Sequence, residues 1–287
     1  MNTANGCESL GFVNVTQSLI TPSVVANTSG TVTCLTNTIQ LNGTPAAGVS
    51  YTWSAPSGSS ISSGVSSQNA VGSGPGTYTL TVRSLSSACL NSATVVANQN
   101  TIAPIPTANP SSSLTCSNSV ITLNGGPSTG VTYLWSGPGI TGSPSGQITT
   151  ANASGSYSLV VTNTINGCSA SATTAVIQDI LTPTVTAASS GTITCITNTV
   201  QLSGASEVGV SYNWSGPGFS GGTNTQNVIG NSAGIYTLTV QFVSNGCVSS
   251  ATTEVMQDLT APLGVDAGFD QTLTCTTSSV TLSGSCL

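Results

Sequence analysis

The chain has 287 residues with one basic and seven acidic side chains, which gives a net charge of −6 and a charged fraction of only 3%, against roughly 25% in an average soluble domain. It contains no His and no Lys, which excludes Ser-His-Asp and Cys-His catalysis, Schiff-base lysines and His-containing zinc sites. Nucleic acid is excluded as a partner, because a single Arg cannot neutralise phosphates. The sequence has no apolar run of about 20 residues, so no membrane-spanning segment is predicted. We therefore expect no enzymatic activity.

An internal repeat of about 80 residues organises the chain and indicates an array of similar structural units. One set of cysteines, at positions 34, 116, 195 and 275, has successive spacings of 82, 79 and 80. A second set, at positions 7, 89, 168 and 247, has successive spacings of 82, 79 and 79. The predicted segments are the end of a preceding repeat (1–21), repeat 1 (22–103), repeat 2 (104–182), repeat 3 (183–261) and the beginning of a following repeat (262–287).

Each repeat is predicted to be an antiparallel β-sandwich. In the first half of repeat 1, Val49, Tyr51 and Trp53 alternate with hydroxyl residues, as on one face of a strand. After Gly76, apolar and polar residues alternate again, which indicates a second strand. Gly-Pro clusters and Asn-Gly pairs between the strands are typical of turns and hairpins. The chain is therefore expected to be all-β, a linear array of tandem antiparallel β-sandwiches. The aromatic residues predicted to form the cores are Tyr51, Trp53, Tyr78, Tyr133, Trp135, Tyr157, Tyr212, Trp214 and Tyr236.

Each complete repeat has two cysteines, at spacings of 55, 52 and 52 in the three repeats. The recurring spacing favours one disulfide within each repeat, which would clamp the two ends of the repeat together and resist pulling. A metal site is the alternative, but the sequence has no Cys-x-x-Cys and no His. Disulfides at this density imply an oxidising, extracellular compartment. The predicted pairs are Cys34–Cys89, Cys116–Cys168 and Cys195–Cys247.

Cys7 and Cys275 occupy the two cysteine positions of the repeat in the terminal segments. Two interpretations of these segments remain open. In the first, the chain is a window of a longer repeat protein. In the second, the end of one copy completes the beginning of the next, and Cys7 forms an intermolecular disulfide with Cys275 in a head-to-tail fibre. Cys286 has no counterpart in the other repeats, and its partner is not predicted.

Acidic residues recur near the ends of repeats 2 and 3, at Asp179 and Asp258, with Asp266 and Asp270 close to the second of them. Carboxylates and loop carbonyls are suitable calcium ligands, so calcium at these positions is one hypothesis. The other is that the acids are solvated linker charges, and no other cofactor is expected.

Four motifs of the repeats are Leu114-Thr115-Cys116, Tyr212-Asn213-Trp214-Ser215-Gly216-Pro217-Gly218, Gly155-Ser156-Tyr157-Ser158-Leu159-Val160-Val161 and Asn245-Gly246-Cys247. Together these motifs resemble the PKD-like and Ig-like tandem repeats of secreted Bacteroidota surface proteins, which implies that the sandwiches are Ig-like or PKD-like. The resemblance implies the stalk or filament of a giant adhesin or of a gliding-motility apparatus, exported to the cell surface. Its partners would be adjoining repeats, copies of itself, a glycan or another cell surface. The alternatives are a glycan- or protein-binding adhesion module and the accessory repeats of a secreted enzyme.

Overall fold

The computed structural model describes residues 3–45 and 47–285, and every regular element within them is a β-strand. The predicted all-β class is confirmed. Repeat 1 contains β1 (Val25–Ser29), β2 (Thr38–Thr44), β3 (Val49–Ser54), β4 (Ser60–Ser63), β5 (Asn69–Ser73), β6 (Gly76–Ser84) and β7 (Leu90–Ala97). Repeat 2 contains β8 (Thr107–Pro110), β9 (Leu114–Thr115), β10 (Ile121–Gly126), β11 (Val131–Ser136), β12 (Ile148–Ala151), β13 (Gly155–Asn163), β14 (Ser169–Val176) and β15 (Gln178–Asp179). Repeat 3 contains β16 (Val185–Ser189), β17 (Ile193–Thr194), β18 (Val200–Ser206), β19 (Val210–Ser215), β20 (Asn227–Gly230), β21 (Gly234–Phe242), β22 (Val248–Val255) and β23 (Gln257–Asp258).

Two antiparallel sheets form the body of each repeat. One sheet has the order β1-β2-β5-β4 in repeat 1, β12-β10-β8 in repeat 2 and β16-β18-β20 in repeat 3. The other has the order β3-β6-β7, β11-β13-β14 and β19-β21-β22. This two-sheet organisation is the Ig-like sandwich expected from the alternating strands.

The core of each sandwich is built on the tryptophan strand and on the tyrosine strand beside it. In repeat 1, β3 and β6 pair with Trp53 opposite Leu80, and Tyr78, Leu80 and Val82 are fully buried along β6. The tryptophan ring nitrogen is satisfied, because Trp53 Nε1 donates to Ser67 O at 3.2 Å, as a buried indole requires. Trp135 and Trp214 repeat this arrangement with Gly146 O and Gln226 O.

The tyrosines predicted to be core residues fall into two groups. Tyr78, Tyr157 and Tyr236 have no exposed surface. Tyr51, Tyr133 and Tyr212 are only half-buried, and in repeats 1 and 3 they pack against the edge of the core cluster. Their outward position suits a phenol, because its hydroxyl needs a hydrogen-bond partner. The hydroxyl of Tyr51 donates to Pro45 O, and the hydroxyl of Tyr133 donates to Pro127 O.

The last strand of repeats 2 and 3 returns to a short strand near the beginning of the same repeat. β15 pairs in parallel with β9, placing Asp179 beside Thr115, and β23 pairs in parallel with β17, placing Asp258 beside Thr194. Repeat 1 has a single parallel bridge at the equivalent place, between Val32 and Gln99. The turn carrying the first cysteine of each repeat therefore lies beside the linker that leads out of that repeat.

The described residues form two compact units. The division passes through repeat 2, because the segment that carries its first cysteine belongs with repeat 3. The predicted repeat boundaries stay predictions, and repeat numbers below name those sequence segments. The first unit contains the residues up to Ser111, Thr122–Ala151 and Gly155–Ala175, and the second contains Ser112–Ile121, Asn152–Ser154 and the residues from Val176 onward.

Candidate functional site: disulfide clasps between repeats

The disulfides join different repeats. Cys34 of repeat 1 is bonded to Cys168 of repeat 2, and Cys116 of repeat 2 is bonded to Cys247 of repeat 3, with Cα–Cα distances of 5.0 Å in both. The predicted pairs Cys34–Cys89, Cys116–Cys168 and Cys195–Cys247 are therefore wrong. Each bond connects the first cysteine of one repeat to the second cysteine of the next.

Distance along the strands explains why the pairs within a repeat do not form. In repeat 3, Cys247 directly precedes β22, whereas Cys195 follows β17, which pairs with β23 beyond the other end of β22. The eight residues of β22 extend over roughly 26 Å at about 3.3 Å per residue. A disulfide needs Cα atoms within about 7 Å, so the two cysteines of one sandwich lie near opposite ends of it and cannot meet.

We call each inter-repeat attachment a clasp. A clasp consists of an Asn-Gly-Cys hairpin, the cysteine turn of the preceding repeat and the linker between the two repeats. The hairpins are Asn166-Gly167-Cys168 between β13 and β14 and Asn245-Gly246-Cys247 between β21 and β22.

In the first clasp, the hairpin asparagine is buried and every polar atom of its amide has a partner. Asn166 is 1% exposed, and its Nδ2 donates to Asn100 Oδ1 and to Ile102 O, both at 2.9 Å. Its Oδ1 accepts from the backbone N–H of Cys168 at 2.9 Å, and its backbone carbonyl accepts from Cys34 N at 3.1 Å. One residue therefore holds the clasp together: its side chain binds the hairpin and the linker, and its backbone carbonyl binds the cysteine turn.

The second clasp repeats this geometry. Asn245 is 2% exposed, its Nδ2 donates to Asp179 Oδ1 at 3.0 Å and Leu181 O at 2.9 Å, and its Oδ1 accepts from Cys247 N at 2.9 Å. Its carbonyl accepts from Ser117 N at 3.1 Å. A buried amide with all its hydrogen bonds made fixes position as well as orientation, so the docking of the hairpin is specific and does not depend on the disulfide alone.

The glycine of each hairpin is required by its backbone conformation and by close approach. Gly167 and Gly246 have φ of +69° and +73°, in the left-handed region that favours glycine. A Cβ on Gly246 would also lie 2.6 Å from Ser117 Cβ, and one on Gly167 would lie 2.1 Å from Leu35 Cγ. Repeat 1 has Ala88 at this position with φ of 60°, and its hairpin cysteine, Cys89, is unbonded.

The recurring linker acid has a role that the sequence did not reveal. Asp179, predicted as a calcium ligand or a solvated charge, accepts a hydrogen bond from the buried amide of Asn245. Asn100 occupies the equivalent position in the first clasp. Within residues 3–45 and 47–285 no group of three His, Cys, Asp or Glu side chains could hold a metal ion; calcium binding stays a prediction.

Cys7, Cys89, Cys195 and Cys275 are free thiols, and all but Cys89 are exposed. In both clasps the first cysteine of one repeat bonds to the second cysteine of the next repeat. By this rule none of these four cysteines has its partner within the chain. Cys286 lies outside the described residues.

The sequence contained two signals for the clasps that the spacing argument did not use. Asn-Gly-Cys places a hairpin turn directly before the cysteine, which moves that cysteine to the tip of the sandwich. The linker polar residues at 100, 179 and 258 recur with the period of the repeat, as partners of a repeated docking residue would.

No protein-family model and no curated protein matches the chain. The three N-terminal domains of the outer capsid protein Hoc of bacteriophage RB49 are 13% identical over 83% of this chain and 99% of that chain, with a TM-score of 0.33. The I9–I11 tandem from titin is 13% identical over 77% and 93%, with a TM-score of 0.30. The N-terminal four Ig domains of Dscam1 isoform 1.9 are 12% identical over 77% and 70%, with a TM-score of 0.22. Likenesses at these TM-scores support no inference about the function of this chain. In the part of the chain that the structure describes, no helix is long and apolar enough to cross a bilayer.

Proposed function

We propose that this chain is a load-bearing segment of an extracellular bacterial fibre or adhesin stalk, of the kind implied by its resemblance to Bacteroidota surface repeats. The observation that carries the proposal is the inter-repeat position of both disulfides. A bond within a sandwich protects only that sandwich, whereas a bond between neighbours holds the junction, where a chain of domains is otherwise joined by a single linker.

The two bonds also interlock. The loop closed by Cys34–Cys168 and the loop closed by Cys116–Cys247 overlap between residues 116 and 168. Tension applied to one clasp is consequently shared with the next through covalent bonds. This suits a protein whose task is to keep its length under force.

The surface composition supports an extracellular position. Disulfides persist in oxidising compartments outside the cytoplasm, and with a charged fraction of 3% the strands have few charges for salt to screen. Arg83 is the single site for a trypsin-like protease. It lies within β6, paired on both sides with β3 and β7, where a protease cannot bind it in the folded state.

Labelling of intact cells tests the proposed function. A gold-conjugated antibody against residues 104–261 is applied to unbroken cells of the source bacterium, with an antibody to a cytoplasmic protein as the control for leakage. We expect label on threads that project from the surface. Label that appears only after lysis would contradict the proposal. Retention of the purified chain on a glycan array would instead favour the binding-module alternative.

A further inference from the structure

The cysteine turn and outgoing linker of repeat 3 correspond in position to those of the two clasps, and their local geometry is similar. Cys195 lies in a turn in which Thr194 N donates to Thr197 O at 2.8 Å and Thr197 N donates to Thr194 Oγ1 at 3.0 Å. The turn of Cys116 has the same pair of bonds between Thr115 and Asn118, at 2.9 and 3.0 Å.

The linker beside Cys195 is also arranged as in the second clasp. Asp258 Oδ1 accepts from Thr260 N at 3.0 Å, as Asp179 Oδ1 accepts from Leu181 N at 3.3 Å. Hydrogen bonds from the side chain and backbone of Thr260 lower the pKa of the Asp258 carboxyl. Cys195, Asp258 and the Thr260 carbonyl therefore correspond to Cys116, Asp179 and Leu181, which bind Asn245-Gly246-Cys247.

The N-terminal segment contains the Asn-Gly-Cys turn of the clasped hairpins, within a stretch, residues 3–24, in which no strand forms. In Asn5-Gly6-Cys7, the backbone N–H of Cys7 donates to Asn5 Oδ1 at 3.2 Å and Gly6 has φ of +67°. The corresponding bonds of the clasped hairpins measure 2.9 Å. The turn therefore shares this hydrogen bond and the glycine conformation with the clasped hairpins, while Asn5 and Cys7 are exposed.

Exposed apolar residues in the two terminal segments are a second, independent observation. Val15 is 90% exposed and Leu282 is 76% exposed. Their equivalents in repeat 3, Val255 and Leu202, are 1% and 0% exposed and lie in one core cluster. The two segments thus expose apolar residues whose equivalents belong to one buried cluster in a complete repeat, and burial of such residues is favourable.

We propose that Cys195, Asp258 and Thr260 form the acceptor of a further clasp, and that its occupant is the Asn5-Gly6-Cys7 hairpin of a second copy of this chain. The inference rests on the proposed fibre function and specifies how copies join. The bond is Cys7–Cys195, in place of the Cys7–Cys275 bond predicted from the sequence, because the observed clasps bond the hairpin cysteine to the turn of the preceding repeat.

The same register assigns a second bond to this interface, from Cys275 of the first copy to Cys89 of the second. The turn of Cys275 has the Thr274–Thr277 bonds at 3.1 and 3.0 Å. In the second copy, Ser87 Oγ already donates to Ile20 O at 2.8 Å, as Asn166 donates to Ile102 O in the first clasp. Ser87 stands where the clasped hairpins have Asn, so this hairpin also contacts the linker that precedes it.

Formation of each bond needs an oxidant, for which a small-molecule disulfide is sufficient. The thiolate of Cys7 attacks one sulfur of the oxidant and releases one thiol, and the thiolate of Cys195 then attacks the mixed disulfide and releases the second. Two protein thiols are oxidised, the oxidant disulfide is reduced to two thiols, and no other reactant is needed.

Donor-only and acceptor-only variants of the full chain test the proposal, with Cys286→Ser in all of them to remove the unassigned thiol. The acceptor-only variant carries Cys7→Ser and Cys89→Ser, and the donor-only variant carries Cys195→Ser and Cys275→Ser. Oxidised glutathione is the oxidant, and non-reducing electrophoresis is the measurement. We expect a ladder from the chain with all four thiols, only monomer from each variant alone, and one dimer band from their mixture.

Mass spectrometry of peptic fragments identifies the bonds in that dimer, and we expect Cys7–Cys195 and Cys89–Cys275. A dimer linked through Cys7–Cys275 in the four-thiol chain would overturn the assignment. Monomer in every sample would overturn the proposal that a second copy occupies the acceptor. It would indicate that the acceptor binds the hairpin of a following repeat in the same polypeptide. Because these samples are purified protein, their failure is distinguishable from a failure of surface labelling.

Discussion

The interlocking of the two disulfides predicts a non-additive response to stretching. The backbone from Cys34 to Cys247 is roughly 210 residues long, but with both bonds intact the shortest covalent path uses only the stretch of about 50 residues between Cys116 and Cys168. Full reduction therefore releases roughly 160 residues, which correspond to about 560 Å at about 3.5 Å per residue.

Removal of one bond releases much less than half of this length. In Cys34→Ser, the path follows the roughly 80 residues from position 34 to Cys116 and then crosses the remaining bond to Cys247. The gain over the doubly bonded chain is about 30 residues, or roughly 100 Å. Removal of both bonds, as in Cys34→Ser with Cys116→Ser, should increase the extension by the full amount of about 560 Å. The two effects do not add, because either bond alone still shortens most of the path between Cys34 and Cys247.

Single-molecule force spectroscopy measures these lengths directly. The chain is held by its two ends after the free thiols have been alkylated, and the final extension is compared among the parent, the single variant and the double variant. Release of about half of the total by the single variant would refute the reasoning, because it would mean that the loops do not overlap.

Proteolysis at Arg83 provides an independent check on the same connectivity. After denaturation without reductant, trypsin should leave the two fragments joined, since Arg83 lies inside the loop closed by Cys34–Cys168. In Cys168→Ser the fragments should separate on a non-reducing gel, whereas in the matched Cys89→Ser variant they should stay joined. A bond between Cys34 and Cys89 would give the opposite pattern.

Two substitutions with matched controls test the clasp and the core. Asn245→Asp places a second carboxylate where the amide nitrogen now lies 3.0 Å from Asp179 Oδ1. Two adjacent carboxylates repel when both are ionised, so the substitution costs stability at neutral pH and costs less as the pH falls and one of them binds a proton. We expect Asn245→Asp to lower the free energy of unfolding at pH 7 by about 1–2 kcal/mol more than Asn166→Asp, whose neighbour is the neutral Asn100. The difference should decline as the pH falls and be lost by about pH 4, near the pKa of an unfolded Asp; equal losses by urea denaturation at pH 7 and at about pH 4 would argue against the clasp geometry. Gly204→Ala would place a Cβ 2.4 Å from Leu238 Cδ2 in the core and should destabilise repeat 3 by about 1–3 kcal/mol. Gly191→Ala, where a Cβ meets nothing within 4 Å, should leave the calorimetric transition unchanged, and a similar loss in both variants would exclude overpacking as the cause.

The repeat, the strands and the core follow from local pattern in this sequence. Alternation along Tyr78, Leu80 and Val82 is enough to place one face of a strand inward, and the structure buries all three. The same argument was less accurate for Tyr51 and its equivalents, which share the face of Trp53 but lie at the edge of the core. Alternation specifies a direction, whereas depth depends on what covers the residue.

The cysteine partners depended on the tertiary structure. The recurring cysteine spacing, from which bonds within each repeat are predicted, also permits bonds between neighbours, because a repeated sequence offers the same residue types at every period. The structure decides between them through two features of the sandwich: the parallel pairing of β17 with β23 carries Cys195 to one end, and the hairpin before β22 carries Cys247 to the other. The sequence thus determined that the cysteines are periodic and that the sandwiches are alike, while the length of one strand determined that each cysteine bonds to the neighbouring repeat.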